Sequence, residues 1–490
     1  MRSMIVFCSL LVATACSGSE NSGGGTGGDG GTGSDSGRSD IGNDGGAGSE
    51  GGGGDAGADG GGVAQPSYQD GPRLKARTVR TADGAHGFYG WYDAQLDIDC
   101  FAGNASDGSS RCVPWGGLGA TNRYSDSSCN TLLAVGGCEH GALPKYAGVF
   151  GSGCNAGPSY HAVGSRYTGT VYYSSGADCE VTASPSQPNW NYYSMGAETA
   201  PASFVSFATP TKSPATARLQ MNVSHAGDGA TGFSSWHDTQ LDVDCLFTAT
   251  GDGQEHCLPN TIHGYTGYLF ADSTCSQTLA NASSCYDSVI RYAMSPADRS
   301  QATFSEVTGK HRGTVYALNG NQCTAYTGPL SAFDVKPAPL SQFVSGTLTV
   351  DGDASGSRIQ RKTAVSTDGV RQPRAWYDTE LATECTFNTA GDGKLRCMPT
   401  LSTVDDNFFA DSGCTQHLAR DISGPAKFAV YEATATCGVT YYQLGTAHSG
   451  TVYFKSGNSC TVYTGAQEMH RVGATIPVTS FAEGLLTTEK

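Results

Sequence analysis

Beyond residue 65 the apolar positions come in short runs, never at sustained helical spacing. Segments such as Arg218-Leu-Gln-Met-Asn-Val, Lys427-Phe-Ala-Val-Tyr and Gly450-Thr-Val-Tyr-Phe are rich in β-branched and aromatic residues and are set between Gly, Ser, Asn and Asp. That is the pattern of short strands joined by turns. No stretch keeps apolar residues on one helical face for three turns, so the chain reads as all-β. Two other patterns precede it. Met4 to Ala13 is one apolar run, too short to span a bilayer, and residues 17–62 hold almost nothing apolar.

The strand-rich part repeats itself three times. Trp91-Tyr-Asp93-x-x-Leu96-x-x-Asp99-Cys100 returns as Trp236-His-Asp238-x-x-Leu241-x-x-Asp244-Cys245 and as Trp376-Tyr-Asp378-x-x-Leu381-x-x-Glu384-Cys385. An Asp-Gly pair, a second Cys and a Pro follow at identical offsets in each, and a Gly-Thr-Val-Tyr comes later in each. Trp-to-Trp spacings are 145 and 140 residues. Fixed offsets of this kind mark tandem duplication, with copies over 72–207, 214–345 and 356–484 and short joins between them. Each copy has room for about seven or eight strands. Phe408-Phe-Ala-Asp-Ser-Gly-Cys-Thr also echoes Tyr453-Phe-Lys-Ser-Gly-Asn-Ser-Cys-Thr, which implies two related sheets per copy. Three copies of two sheets would suit a six-bladed β-propeller. Three separate β domains in a row are the alternative.

Composition adds an address. Sixteen of the 18 Cys lie beyond position 16, more than a reducing cytosol favours. The net charge of −16 argues against a sequence-independent grip on nucleic acid. Residues 1–16, MRSMIVFCSLLVATAC, combine Arg2, the apolar run and Ala13-Thr14-Ala15 ahead of Cys16, a secretory signal. The group resembles a bacterial lipobox, with Ala13 where Leu is usual. The resemblance implies cleavage before Cys16 and a diacylglycerol on its thiol, and Ser17 resembles the sorting position of outer-membrane lipoproteins. Residues 17–62 contain 22 Gly in 46 positions, so 17–65 is expected to be a disordered tether. The whole arrangement is similar to the Gly/Ser/Asp-tethered surface lipoproteins of myxobacteria. It implies a lipid-anchored protein at the outer membrane or cell surface of a Gram-negative bacterium.

In each copy two Cys lie 12 apart around an Asp-Gly turn: Cys100/Cys112, Cys245/Cys257 and Cys385/Cys397. A hairpin folded there would set each pair directly opposite, close enough for a disulfide. The third and last Cys of every copy are expected to pair as Cys129–Cys179, Cys275–Cys323 and Cys414–Cys460. Cys138–Cys154 would then bridge and leave Cys285 and Cys437 as orphans. Pairing of the 129–138 and 154–179 type leaves two orphans as well, so the count does not decide. No Cys-x-x-Cys or His-x-x-x-His cluster indicates a metal.

Candidate chemistry is sparse. Trp91/Asp93, Trp236/Asp238 and Trp376/Asp378 each share a strand face, where an indole and a carboxylate could hold a sugar. The plainer alternative makes the Trp core and the Asp a turn acceptor for backbone amides. Recurrence in all three copies favours that alternative, since duplication preserves scaffold. Asp93 with Asp99, or Asp378 with Glu384, would be the carboxylate pairs of a hydrolase, but three such sites on one chain would be unusual. None of the eleven His recurs in all three copies, and no nucleophile-elbow, zincin, Walker or dinucleotide motif appears. Asp351-Gly-Asp353-Ala-Ser-Gly-Ser resembles the start of a calcium loop but lacks its closing Glu, and reads as a polar join. The expectation is a surface binding or structural module for a glycan or protein, with no catalytic residue, metal or cofactor. A tethered carbohydrate-active or other hydrolase, its site in a repeat-built channel, is the alternative.

Overall fold

The computed structural model describes residues 66–488, apart from 116, 138–141, 151–156, 175–177, 182–190, 215–216, 261–263, 296–301, 320–321, 421–425, 434–437, 458 and 466–467. The expected signal peptide, lipidated Cys16 and tether lie outside the described residues. What is described is all-β, and each copy has two unlike halves.

The first half is a five-stranded antiparallel meander. In the second copy its strands are Phe207–Lys212, Leu219–Ala226, Thr231–Asp238, Val243–Ala249 and Glu255–Pro259. The third copy repeats it as Ser345–Asp351, Ile359–Ser366, Arg371–Asp378, Thr383–Thr389 and Leu395–Pro399. The first copy has Leu74–Thr81, His86–Asp93, Ile98–Asn104 and Ser110–Pro114, and takes its outermost strand, Gly484–Thr488, from the far end of the chain. That strand pairs from Gly484↔Thr81 to Thr488↔Arg77.

The three sheets are stitched into a closed ring. The last strand of each meets the first strand of the next through Arg111↔Ser206, Glu255↔Gly346 and Arg396↔Glu483. Equivalent amides make equivalent bonds at every seam: Cys112 N to Val205 O at 2.8 Å, Cys257 N to Val344 O at 2.9 Å, and Cys397 N to Ala482 O at 2.8 Å. Closure leaves no long free sheet edge at the seams. Asp-Gly turns add a second interlock. Asp228 Oδ2 accepts from the amides of Arg73 and Leu74, Asp83 Oδ2 from Arg358 and Ile359, and Asp368 Oδ2 from Leu219. The glycines that follow, Gly84, Gly229 and Gly369, have φ of 101°, 93° and 90°, a conformation that favours Gly.

The second half is a small closed barrel with a side hairpin. In the second copy the barrel strands are Gly264–Phe270, Thr278–Ala282, Tyr292–Met294, Phe304–Lys310 and Ser331–Ala338, the first and third running parallel. Leu118–Ala120 and Leu401–Phe409 start the equivalent barrels.

This topology corrects two expectations. The echoing segments near Phe408 and Tyr453 pair with each other, Phe408↔Phe454 and Phe409↔Tyr453, inside one sheet. They are not the marks of two related sheets. Neither six like blades nor three domains in a row result, because blades are separate sheets and these first halves share ladder bonds across every seam. The joins are also shorter than expected. Residues 207–212 and 345–351 are ring strands, and Asp351 is buried and ion-paired with Arg361.

The two disulfides expected in every copy all form, six among the three copies, with Cα–Cα distances of 5.2–6.0 Å. Their number is the mark of an extracytoplasmic protein. The hairpin register differs from expectation. Cys245 faces Pro259 and Cys257 faces Phe247, so the bridge runs diagonally. The turn is centred one residue later than midway between the two Cys, and strand twist shortens the diagonal to 5.2 Å. Cys285, expected as an orphan, is disulfide-bonded. Its partner lies outside the described residues, as do Cys138, Cys154 and Cys437.

Candidate functional site

The three Trp-Asp pairs are scaffold. Trp91, Trp236 and Trp376 are 6%, 0% and 3% exposed, and Asp93, Asp238 and Asp378 are fully buried. Each indole crosses to the next sheet of the ring. A Cβ on Gly232 would lie 2.8 Å from the Trp91 ring, and one on Gly87 would lie 2.8 Å from Trp376. The equivalent position in the third copy is Gln372, whose Oε1 accepts from Trp236 Nε1 at 3.1 Å.

Each Asp accepts from two turn amides, as from Gln240 N at 3.0 Å and Leu241 N at 3.1 Å. It also holds an arginine in a two-pronged pair: Arg73–Asp93, Arg218–Asp238 and Arg358–Asp378. The same guanidinium donates to a carbonyl of the 3-10 turn leading into the next ring strand, at Ser203, Gln342 or Ser480. The pair therefore locks a sheet to the join that follows its barrel. Strand alternation puts Asp93 on the Trp face and Asp99, opposite Tyr92, on the other. The candidate carboxylate pairs Asp93/Asp99 and Asp378/Glu384 are thus separated by the sheet.

That other face differs between copies. Cross-strand register builds a row of Lys75, Tyr92, Asp99 and Trp115 in the first sheet. The second sheet has Gln220, His237, Asp244 and Asn260, and the third has Gln360, Tyr377 and Glu384. One backbone frame thus displays three chemistries.

In the first row Arg77 Nη1 binds the Asp99 carboxylate at 2.8 Å, and the guanidinium lies 4.3 Å from the Tyr92 ring centre. Burial pushes the Asp99 carboxyl up against the opposing pull of Arg77, and burial pushes the Tyr89 hydroxyl up to about 12. Trp115 stacks on Tyr89 at 5.9 Å and meets Phe101 edge-on at 6.0 Å, yet remains 43% exposed.

In the second row a cavity of about 300 Å³ is lined by Lys212, Asn222, His237, Asp242 and Asp244. His237 Nδ1 lies 2.9 Å from Asp244 and Nε2 lies 2.9 Å from Lys212 Nζ. A carboxylate accepts and an ammonium donates, so these two contacts match an imidazole that donates from Nδ1 and accepts at Nε2. Nε2 lies against the Lys212 ammonium, with the Asp242 carboxylate 3.5 Å away, and not against a hydroxyl or thiol, so this is not the geometry of a nucleophilic triad. In the third row Lys362 lies 4.7 Å from the Tyr377 ring centre. Burial, reinforced by Glu255, pushes the Glu384 carboxyl up.

A family model, described as a family of unknown function (DUF7481), matches residues 62–332, 190–400 and 344–480. The chain belongs to this family. Overlapping matches along one chain are what tandem copies produce. No curated protein and no solved structure matches it.

Of the residues that a search of the sequence missed, Arg73, Arg218 and Arg358 carried a signal. Each stands 20 positions before its Asp. Trp115, Lys212 and His237 carried none in a search for recurrence, because each occurs in one copy only. Among the described residues no group of three or more metal-ligating side chains is present.

Proposed function

We propose that the protein is an exported lipoprotein, anchored through Cys16 at the outer membrane or cell surface of a Gram-negative bacterium. Its ring-shaped head, carried on a Gly-rich tether, is a binding module for a glycan or another surface protein. The observation that carries this reading is the contrast between the two faces of each ring sheet. The Trp, Asp and Cys of one face recur in all three copies, whereas the opposite row, around an acid that every copy keeps, carries Tyr92 and Trp115, His237 and Asn260, or Tyr377 and Thr400. Scaffold preserved beneath varied display positions is how a binding protein diverges after duplication. The hydrolase alternative loses support from the separation of Asp93 and Asp378 from their would-be partners.

Two measurements test it. Fractionation of cells expressing Cys16→Ser should find the protein released from the membrane, and retention there would refute the anchor. Chemical cross-linking on intact cells, with an array of surface glycans alongside, should give a saturable partner for the wild-type head. Failure of both would refute the binding role.

A further inference from the structure

Resting on the binding-module reading, we infer that the open row of the first copy is a sugar-binding site in which a pyranose ring stacks on Trp115. The indole is immobilised before any ligand arrives, with Tyr89 stacked on it and Phe101 against its edge. It still leaves 43% of its surface to solvent, whereas Trp91, Trp236 and Trp376 are buried. Asp99 is its cross-strand neighbour, since Trp115 N donates to Asp99 O at 2.9 Å. Neighbouring strands set the two side chains about 5 Å apart on one face.

The carboxylate is held by Arg77, and Arg77 is in turn seated on the Tyr92 ring. A pyranose is amphipathic in the matching sense. Its axial C–H bonds form an apolar face for the indole, while equatorial hydroxyls project sideways toward acceptors and donors at the rim. Asp99 would accept from one hydroxyl and an Arg77 Nη would donate to the next. The pre-ordered groups lower the entropic cost of binding. One exposed indole rimmed by fixed charges is far too small for the apolar centre of a protein interface, and a flat sugar fits it. The other copies have Asn260 and Thr400 in place of the indole, so one such site is expected per chain.

The test is a titration of the full-length protein in detergent with hexasaccharides of glucose, of galactose and of N-acetylglucosamine, followed by tryptophan emission and by calorimetry. At least one should bind saturably and shift the emission. Trp115→Ala should weaken that binding about tenfold or more, and Asp99→Asn several-fold, with the melting temperature of Trp115→Ala unchanged. Equal binding by wild type and Trp115→Ala would overturn the site while leaving the binding-module reading intact. No saturable binding of any of the three sugars at millimolar concentration would overturn the sugar assignment. The binding-module reading would then rest on the cell-surface cross-linking alone.

Discussion

Replacing Asp238 by Ala tests the account of the ring most directly. The carboxylate is fully buried and accepts four bonds: Arg218 Nε at 2.9 Å, Arg218 Nη2 at 2.7 Å, and the amides of Gln240 and Leu241 at 3.0 and 3.1 Å. As a turn acceptor alone it would be worth roughly 0.5–2 kcal/mol. Removing one partner of a buried ion pair costs about 3–5 kcal/mol, because the other charge is left without its counterion. The Arg218 side chain is 27% exposed and keeps its bond to Gln342 O, so water relieves part of that cost. The expected loss is about 2–4 kcal/mol. Urea unfolding followed by circular dichroism would read it as a lower midpoint at unchanged slope. A cycle with Arg218→Met isolates the pair, and its coupling should be at least ~1.5 kcal/mol. A loss below ~1 kcal/mol together with coupling under ~0.5 kcal/mol would refute the claim that this pair locks the sheet to the following join.

Trp236→Ala should cost about 3–5 kcal/mol, since the indole is fully buried and bonded to the next sheet, while the exposed Trp115→Ala should cost well under 1 kcal/mol; thermal melts separate the two. Deleting residues 484–488 should open the ring, bare the edge of Leu74–Thr81 and promote association, seen by light scattering and a lower melting temperature. Acid should destabilise the head between about pH 4 and pH 2. Asp107 and Asp252 are lowered to about 2 by hydrogen bonds from Ser109 and Thr250. Asp126, Asp272 and Asp411 are also held low, by bonds from Thr131, Thr274 and Gln416. A lowered folded-state value means stability is present above the unfolded value and is lost as pH falls through the folded one. Asp99 and Glu384, raised by burial, act in the opposite sense; melts from pH 6 downward should fall less in Asp252→Asn than in wild type. Non-reduced peptide mapping should recover Cys285 in a disulfide with Cys138, Cys154 or Cys437, and a free Cys285 thiol would contradict the structure.

The sequence by itself determined what is local or repeated. Strand character follows from β-branched and aromatic runs between turn residues, and three copies follow from fixed offsets around Trp91, Trp236 and Trp376. Cys separations of 12 across an Asp-Gly turn were enough to pair the hairpin cysteines, because so short a loop can hardly do otherwise. The buried place of the Trp-Asp motif was also legible, since duplication keeps what every copy needs. Tertiary structure alone decided how the copies close. Ring closure joins Gly484–Thr488 to Leu74–Thr81, some 400 residues apart in the chain, and no periodicity records which edges will meet. The arginine partners stood at a constant spacing, but a pair 20 residues apart becomes an ion pair only when neighbouring strands bring it together. Trp115 lay further still from view. An indole that occurs in one copy looks like chance until the sheet sets it between Tyr89 and Phe101, beside a carboxylate and open to solvent. Repetition reveals scaffold because scaffold is what the copies share, while the surface proposed to bind lies where they differ, and only the fold shows which differing residues stand side by side.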